Sequence, residues 1–221
     1  MKKKLNIVFE NKELLIINKP SKMLTIATEK DKNHNLYQEA SSYVKKKHPK
    51  NKVFIVNRLD RDTSGIVVFS KNEALKKKLQ NHWDECAVVR EYIAIVEGYL
   101  KEKKGIIKSY LMEDKTLKVF STNDSKRGKL AITEYEVLQE KNTYSLVKIK
   151  IHTGRKNQIR VHLSDLGHPI IGDKKYGAKR NPLGRLGLHA KYLELKLVGA
   201  REVLKLDTVL PKEFKMMFDE E

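Results

Sequence analysis

The sequence has few of the residues on which several classes of protein depend. Its 221 residues include one cysteine, Cys86, so the chain can form neither an internal disulfide nor a cysteine-rich zinc site. No stretch reaches the roughly 20 apolar residues of a transmembrane helix. The first apolar run, Leu5 to Phe9, is too short for the core of a signal peptide. We therefore expect a protein of the cytoplasm or of an organelle matrix, with no membrane partner.

Internal repeats, low-complexity tracts and Gly/Ser-rich linkers are also missing from the sequence. With 40% hydrophobic residues, a chain of this length can form one domain with its own core. We predict a single domain over residues 1–221, built from two lobes. Nothing in the sequence calls for more than a monomer.

Acidic residues are in the minority. The chain has 46 lysines and arginines against 28 aspartates and glutamates, a formal net charge of +18. Such an excess is typical of proteins that bind a polyanion, most often a nucleic acid. The alternative is a lysine-rich surface that only keeps the protein soluble.

The hydrophobic pattern predicts an α+β protein. Apolar residues at helical spacing predict helices over Asn35 to Lys47, Glu73 to His82 and Asn157 to Leu166. Between Val88 and about Ile151, short runs rich in β-branched and aromatic residues predict successive strands, among them Thr116 to Phe120. Consecutive short strands favour antiparallel pairing, so the expected fold is a largely antiparallel sheet with a few helices against it.

The first segment that carries chemistry runs from Val56 to Gly65. It predicts a strand, a charged turn and a second strand, with the Asp60 carboxylate between Arg58 and Arg61. Nearby positive charge favours the ionised carboxylate, which could act as a nucleophile or as a general base. The alternative is a tight turn in which an aspartate caps the chain locally.

The second segment, Arg90 to Gly98, places Tyr92 within a predicted strand. A tyrosine in a strand is usually half-buried packing. It can instead stack on a nucleobase and bring its hydroxyl close to the ring.

The third segment, Thr153 to Leu163, gathers Arg155, Lys156 and Arg160 near a predicted helix start. An ordinary solvated basic face would look the same. In the functional alternative, one arginine turns inward to a carboxylate while the other basic groups contact phosphates.

Taken together, these segments resemble the RluA family of pseudouridine synthases. Several motifs in the family's order are more specific than any one of them. The resemblance covers nearly the whole chain and rests on Leu14 to Pro20, Arg58 to Gly65, Arg90 to Ala94, Thr153 to His162, Gly167 to Asp173 and Leu188 to Ala190.

The resemblance implies an RNA-modifying isomerase. Such an enzyme converts a specific uridine of structured RNA, either tRNA or rRNA, to pseudouridine after flipping the base, with no cofactor and no metal. The implied fold is a long, mixed, mainly antiparallel sheet in two lobes, with flanking helices and a central basic cleft. We expect no N-terminal S4-type RNA-binding domain.

By motif position, the resemblance also implies the roles of individual residues. Asp60 would be the catalytic aspartate, Tyr92 the tyrosine that stacks on the uracil, and Arg160 the partner that forms a salt bridge with Asp60. The remaining expected substrate contacts are Arg58, Asn57, Thr63, Arg155, Lys156 and His162. Asn57 stands where many relatives have histidine, which we expect to affect substrate contacts more than chemistry.

Two other functions compete with this interpretation. The run Asp60 to Ser64 resembles the nucleophile loop of haloacid-dehalogenase phosphatases, but Asn57 and Arg58 interrupt the apolar strand that such a loop follows, and these enzymes need Mg²⁺ and further acidic ligands. A non-catalytic RNA-binding module would explain the charge equally well. Phosphate binding alone, however, needs no carboxylate like that of Asp60.

Overall fold

The computed structural model of the protein describes residues 5–28, 34–197 and 199–219. These residues divide into two compact units, each of them strands with flanking helices, which confirms the α+β class. Unit 1 contains residues 5–28, 34–88, 190–197 and 199–208; unit 2 contains residues 89–189 and 209–219. The single domain over 1–221, whose two ends lie outside the described residues, stays a prediction.

The strands of unit 1 are antiparallel and strongly apolar. Strand β2 (Leu14–Lys19) lies between β1 (Ile7–Glu10) and β4 (Ser64–Ser70), and the short β3 (Phe54–Ile55) also pairs with β4. Every residue of β4 is buried, because the sheet is covered on both faces. Further along the chain, β10 (Leu188–Lys196) pairs with β11 (Val203–Asp207).

The two longer helices of unit 1 begin at asparagine caps. Helix α1 (Leu36–Lys47) starts after Asn35, whose side chain accepts a hydrogen bond from the backbone N–H of Gln38 at 3.1 Å. Helix α2 (Glu73–Asn81) starts after Asn72 in the same way, and the short α3 (Trp83–Cys86) follows it. The predicted helices over 35–47 and 73–82 are therefore confirmed to within one residue at each end.

Unit 2 is built on long antiparallel strands in the spatial order β5 (Ala87–Glu97), β9 (Tyr144–Ile151), β8 (Lys129–Lys141), β6 (Lys104–Glu113) and β7 (Val119–Thr122). Its helices are α4 (Gln158–Asp165), which lies against β7 and β8, and α5 (Lys212–Met216). Apolar residues of β5 and β9 pack with residues of α4 in the main core of this unit.

The strand predicted over Thr116 to Phe120 is confirmed only at Val119 and Phe120, and its first three residues are wrong. The carboxylate of Asp114 accepts hydrogen bonds from the backbone N–H groups of Thr116 at 2.8 Å and of Lys118 at 2.9 Å, and so closes a turn. Local bonds of this kind compete with a sheet ladder. Strand β7 consequently begins only at Val119.

Candidate active site

Asp60 lies in unit 1, in the loop of residues 56–63 that joins β3 to β4. Its side chain is half-buried. At the end of this loop, Gly65 has a φ of +116°, and a Cβ built there would lie 2.1 Å from the backbone oxygen of Ala190 on β10. Only glycine fits a backbone that approaches another strand so closely. Gly65 therefore lets the start of β4, just after the Asp60 loop, lie directly against β10.

A buried lysine braces the Asp60 loop. Lys19, at the end of β2, is 0% exposed, and its ammonium donates hydrogen bonds to the backbone oxygens of Pro20 (3.1 Å), Met23 (2.7 Å) and Arg61 (3.0 Å). The Arg61 oxygen belongs to the residue after Asp60. Lys19 thus ties the segment after β2 to the candidate catalytic loop.

Two hydroxyl groups add to this brace. Ser21 donates to the backbone oxygen of Asp62 at 2.6 Å, and Thr25 donates to that of Leu59 at 2.9 Å. The backbone on both sides of Asp60 is therefore held by side chains that lie more than 30 residues earlier in the chain. A catalytic group that is fixed in this way loses little freedom when the substrate arrives.

The other predicted residues of this loop lie in different environments. Asn57 accepts a hydrogen bond from the backbone N–H of Val68 at 2.8 Å, so its side chain extends the pairing of β3 with β4. Thr63 is 3% exposed and faces the interior, whereas Arg58 is exposed. Their contacts with a substrate stay a prediction, and the structural role of Asn57 is an addition to it.

In unit 2, Tyr92 lies on β5 opposite Ile149 of β9. It is half-buried and packs against the main core of the unit. This environment packs part of the side chain and leaves part of it accessible. It suits a stacking platform, although packing alone would explain the same burial.

Arg160, on α4 of unit 2, forms a nearly buried ion pair with Asp173. Its Nε donates to Asp173 Oδ2 at 2.7 Å and its Nη2 donates to Oδ1 at 2.8 Å, and the two side chains are 13% and 1% exposed. We predicted that Arg160 pairs with Asp60. In the structure, the carboxylate that accepts hydrogen bonds from Nε and Nη2 of Arg160 is that of Asp173. An additional contact with Asp60 stays a prediction.

Two further residues fix the Arg160 guanidinium. Asn157 accepts a hydrogen bond from its Nη1 at 3.2 Å, and the guanidinium lies 5.0 Å from the ring centre of Tyr176. Bidentate pairing and stacking on a ring are the contacts for which arginine differs from lysine. The sequence offered one signal for Asp173, since it closes a motif of the resemblance, but it did not show that Asp173 contacts Arg160.

His162 is an interior residue of unit 2. It is 0% exposed, with Nδ1 2.8 Å from Thr133 Oγ1 and Nε2 3.0 Å from Ser109 Oγ. Burial lowers the pKa of His162 from 6.5 to about 4, although the nearby Asp165 carboxylate acts in the opposite direction. Full burial with both ring nitrogens occupied argues against the substrate contact that we predicted for His162. Its role is to hold α4 on the sheet.

The two remaining predicted phosphate contacts are engaged within unit 2. Arg155 donates through Nε to the backbone oxygen of Leu130 at 2.9 Å, and Lys156 forms an ion pair with Glu113. Both are exposed, so their contact with RNA stays a prediction. In the part of the chain that the structure describes, no group of three or more His, Cys, Asp or Glu side chains could hold a metal ion. None of the described helices is both long and apolar enough to cross a bilayer.

The sequence model of the RNA pseudouridylate synthase family matches residues 13–165. The chain belongs to this family. The match spans the Asp60 loop, Tyr92 and Arg160, and confirms the resemblance to the RluA family. It supports the catalytic prediction over a non-catalytic RNA-binding module, and over a phosphatase of the haloacid-dehalogenase type.

Individual relatives agree with the family match. The chain is 36% identical to the ribosomal large subunit pseudouridine synthase D of Borreliella burgdorferi, over 94% of this chain and 66% of the relative. It is 32% identical to the tRNA pseudouridine synthase C of Haemophilus ducreyi, over 98% of this chain and 95% of the relative. Among three curated relatives with 35–36% identity, this chain spans 60–70% of their length.

A solved structure shows the same fold. The structure of human RNA pseudouridylate synthase domain containing 4 matches this chain with a TM-score of 0.79 and 25% sequence identity, over 95% of this chain and 90% of that chain. The expected pseudouridine synthase fold is thereby confirmed.

Proposed function

We propose that this chain isomerises a specific uridine of structured RNA to pseudouridine, with Asp60 as the catalytic carboxylate. The observation that carries the proposal is the braced loop around Asp60 in a chain of the RNA pseudouridylate synthase family. Loop residues that a rigid scaffold positions are typical of catalytic sites.

The reaction moves a base and adds no atoms. The bond from N1 of the uracil to C1′ of the ribose breaks, the base turns, and C5 forms the new bond to C1′. The proton leaves C5 and N1 gains one, so that no oxidant or group donor is needed. Asp60 serves either as the nucleophile or as the base in this sequence.

Tyr92 and Arg160 complete the proposed site. Tyr92 stacks on the extruded uracil and helps to remove the C5 proton. Arg160 pairs with Asp60 through donor capacity that remains beside its bonds to Asp173, because a guanidinium carries five N–H groups. In this role it fixes the direction of the Asp60 carboxylate.

The positive charge of the chain supports binding of the RNA backbone. A stacked uridine cannot reach Asp60, so the nucleotide must flip out, which costs a few kcal/mol and least in loops. Lysines and arginines that neutralise phosphates offset part of this cost and make binding fall steeply with salt.

The substrate class follows from the relatives, and we propose tRNA or rRNA. The tRNA enzyme of Haemophilus ducreyi is a relative whose length this chain nearly matches, while the rRNA enzyme of Borreliella burgdorferi has the higher sequence identity of the two. We also propose that the protein acts as a monomer in the cytoplasm, where both RNA classes are found.

The test is release of tritium from RNA that carries uridine labelled with tritium at C5, using separate tRNA and rRNA pools. The wild type should release tritium, and Asp60→Asn should release none above background. Asp62→Asn is the matched control, because it removes a carboxylate from the same loop and should keep most of the turnover. Equal release by wild type and Asp60→Asn would refute the role of Asp60.

A further inference from the structure

Unit 1 contains a lysine-rich pocket that lies apart from the Asp60 loop. Its volume is about 530 Å³, within the range of pockets that bind small ligands, and its apolar lining residues are Val44 and Phe54. The pocket lies beside the end of α1 and the turn that follows β4. The lysines that line it are Lys12, Lys47, Lys50, Lys52 and Lys71.

Two of these lysines are held in place by one carboxylate. Oε1 of Glu10 accepts hydrogen bonds from Lys47 at 2.8 Å and Lys71 at 2.7 Å, and Oε2 accepts one from the Tyr43 hydroxyl at 2.7 Å. Partial burial alone would raise the pKa of Glu10, but these bonds outweigh it and lower the pKa from 4.5 to about 2. Glu10 is therefore ionised throughout the physiological range, and it orders two ammonium groups while neutralising one.

The other three lysines have no such partner. Lys12, Lys50 and Lys52 are exposed, and within the described ranges none of them forms an ion pair. The remaining acidic lining residue, Glu73, pairs with Lys77 outside the pocket at 3.4 Å. Five lysines against two glutamates leave three net positive charges around one concavity. A ligand with several negative charges fits this lining.

The pocket is distant from the catalytic loop. Gly65, beside the Asp60 loop, pairs with Lys19, whereas Ser70, beside the pocket, pairs with Leu14 and Phe54. The Asp60 loop and the pocket therefore lie at opposite ends of β4, which runs from Ser64 to Ser70. At roughly 3.3 Å per residue, this separation is about 20 Å.

We propose that this pocket binds phosphate groups of the RNA substrate at a distance from the target uridine. The proposal rests on the proposed function for the identity of the RNA, and on the pocket itself for the chemistry. Lysine ammonium groups bind phosphate as point charges, and contacts to phosphate fix the register of a nucleic acid without reading its sequence.

The pocket therefore acts on binding rather than on chemistry. Removing its charge should raise the KM for long RNA and leave kcat at saturating RNA unchanged. Such a distal contact would favour substrates with a helix next to the target loop, a feature that tRNA and rRNA share.

The test compares two double variants that remove the same charge. Lys50→Gln/Lys52→Gln removes two pocket lysines, and Lys196→Gln/Lys205→Gln removes two exposed lysines from β10 and β11 of the same unit. Binding of unfractionated tRNA and of rRNA fragments is measured by fluorescence anisotropy at several KCl concentrations. For the pocket variant we expect about tenfold weaker binding at physiological salt, with a salt slope lower by roughly 1.5. The control should change by less than about twofold.

Equal weakening in both variants, or none in either, would overturn the proposal. A fall in kcat at saturating RNA with unchanged KM would also overturn it. Circular dichroism and urea unfolding confirm that both variants are folded. Binding needs no turnover, so weaker binding of the pocket variant in a protein that releases no tritium would support the pocket and refute the proposed isomerase instead.

Discussion

Replacing Lys19 by methionine tests the brace of the Asp60 loop most sharply. Lys19→Met keeps the length of the side chain and its packing but removes the ammonium group. Three backbone oxygens, at 2.7–3.1 Å from that ammonium, then lose a donor in a region where Lys19 is fully buried. We therefore expect both stability and turnover to fall.

The magnitude follows from these three contacts. A buried acceptor that loses its partner costs about 1 kcal/mol or more, which gives roughly 3 kcal/mol for three oxygens. Removing the ammonium also removes the desolvation cost of burying it in the wild type, which offsets part of this loss. We expect the free energy of unfolding to fall by about 2–3 kcal/mol.

Urea unfolding followed by circular dichroism measures this loss. Tritium release should fall at least about tenfold, since one of the lost hydrogen bonds is the bond to the backbone oxygen of Arg61, the residue after Asp60. It is measured at a temperature at which the variant remains folded. Lys45→Met, at an exposed position of α1, is the matched control and should change neither quantity. If the free energy of unfolding of Lys19→Met is within about 0.5 kcal/mol of the wild-type value and its turnover is unchanged, the Lys19 hydrogen bonds do not position the Asp60 loop.

Three further predictions concern single positions. Gly65→Ala should lose more than about 3 kcal/mol or fail to fold, as urea unfolding would show, because its Cβ would overlap the backbone of β10; a stable variant would contradict the close approach. Asp173→Asn should lose about 2–3 kcal/mol in the same assay and lower kcat, because it removes the buried carboxylate that accepts from Nε and Nη2 of Arg160; unchanged values would contradict the pairing. The depressed pKa of His162 means that the unfolded chain binds a proton below about pH 6.5 and the folded protein only near pH 4. The contribution of His162 to the free energy of unfolding is therefore complete above pH 6.5, and up to about 3 kcal/mol of it is lost as the pH falls to 4. Between pH 7 and pH 4.5, urea unfolding should show a smaller loss of this free energy for His162→Gln than for the wild type.

Local patterns predicted most of the secondary structure. Leu36, Ala40 and Val44 recur at helical spacing after Asn35, and the structure buries these three residues on one face of α1. The error at residues 116–118 has a local cause as well, because the Asp114 carboxylate forms a turn there that competes with a strand. The spacing of hydrophobic residues cannot predict a turn that one polar side chain closes through hydrogen bonds to the backbone.

The surroundings of the site were harder to predict because they depend on contacts between distant segments. A lysine is normally exposed, and the burial of Lys19 becomes understandable only when the oxygen of Arg61, 42 residues later, is brought to it. The Asp173 partner of Arg160 is also a product of tertiary packing. Motif order selected the candidate residues, whereas their contacts within the protein required the fold.

We propose that this protein makes pseudouridine with Asp60. The decisive test is pseudouridine mapping of total RNA from cells with and without the gene. We predict that at least one pseudouridine in tRNA or rRNA disappears without the gene, returns with the wild-type protein and does not return with Asp60→Asn. An unchanged pseudouridine map, or full restoration by Asp60→Asn, would contradict the claim.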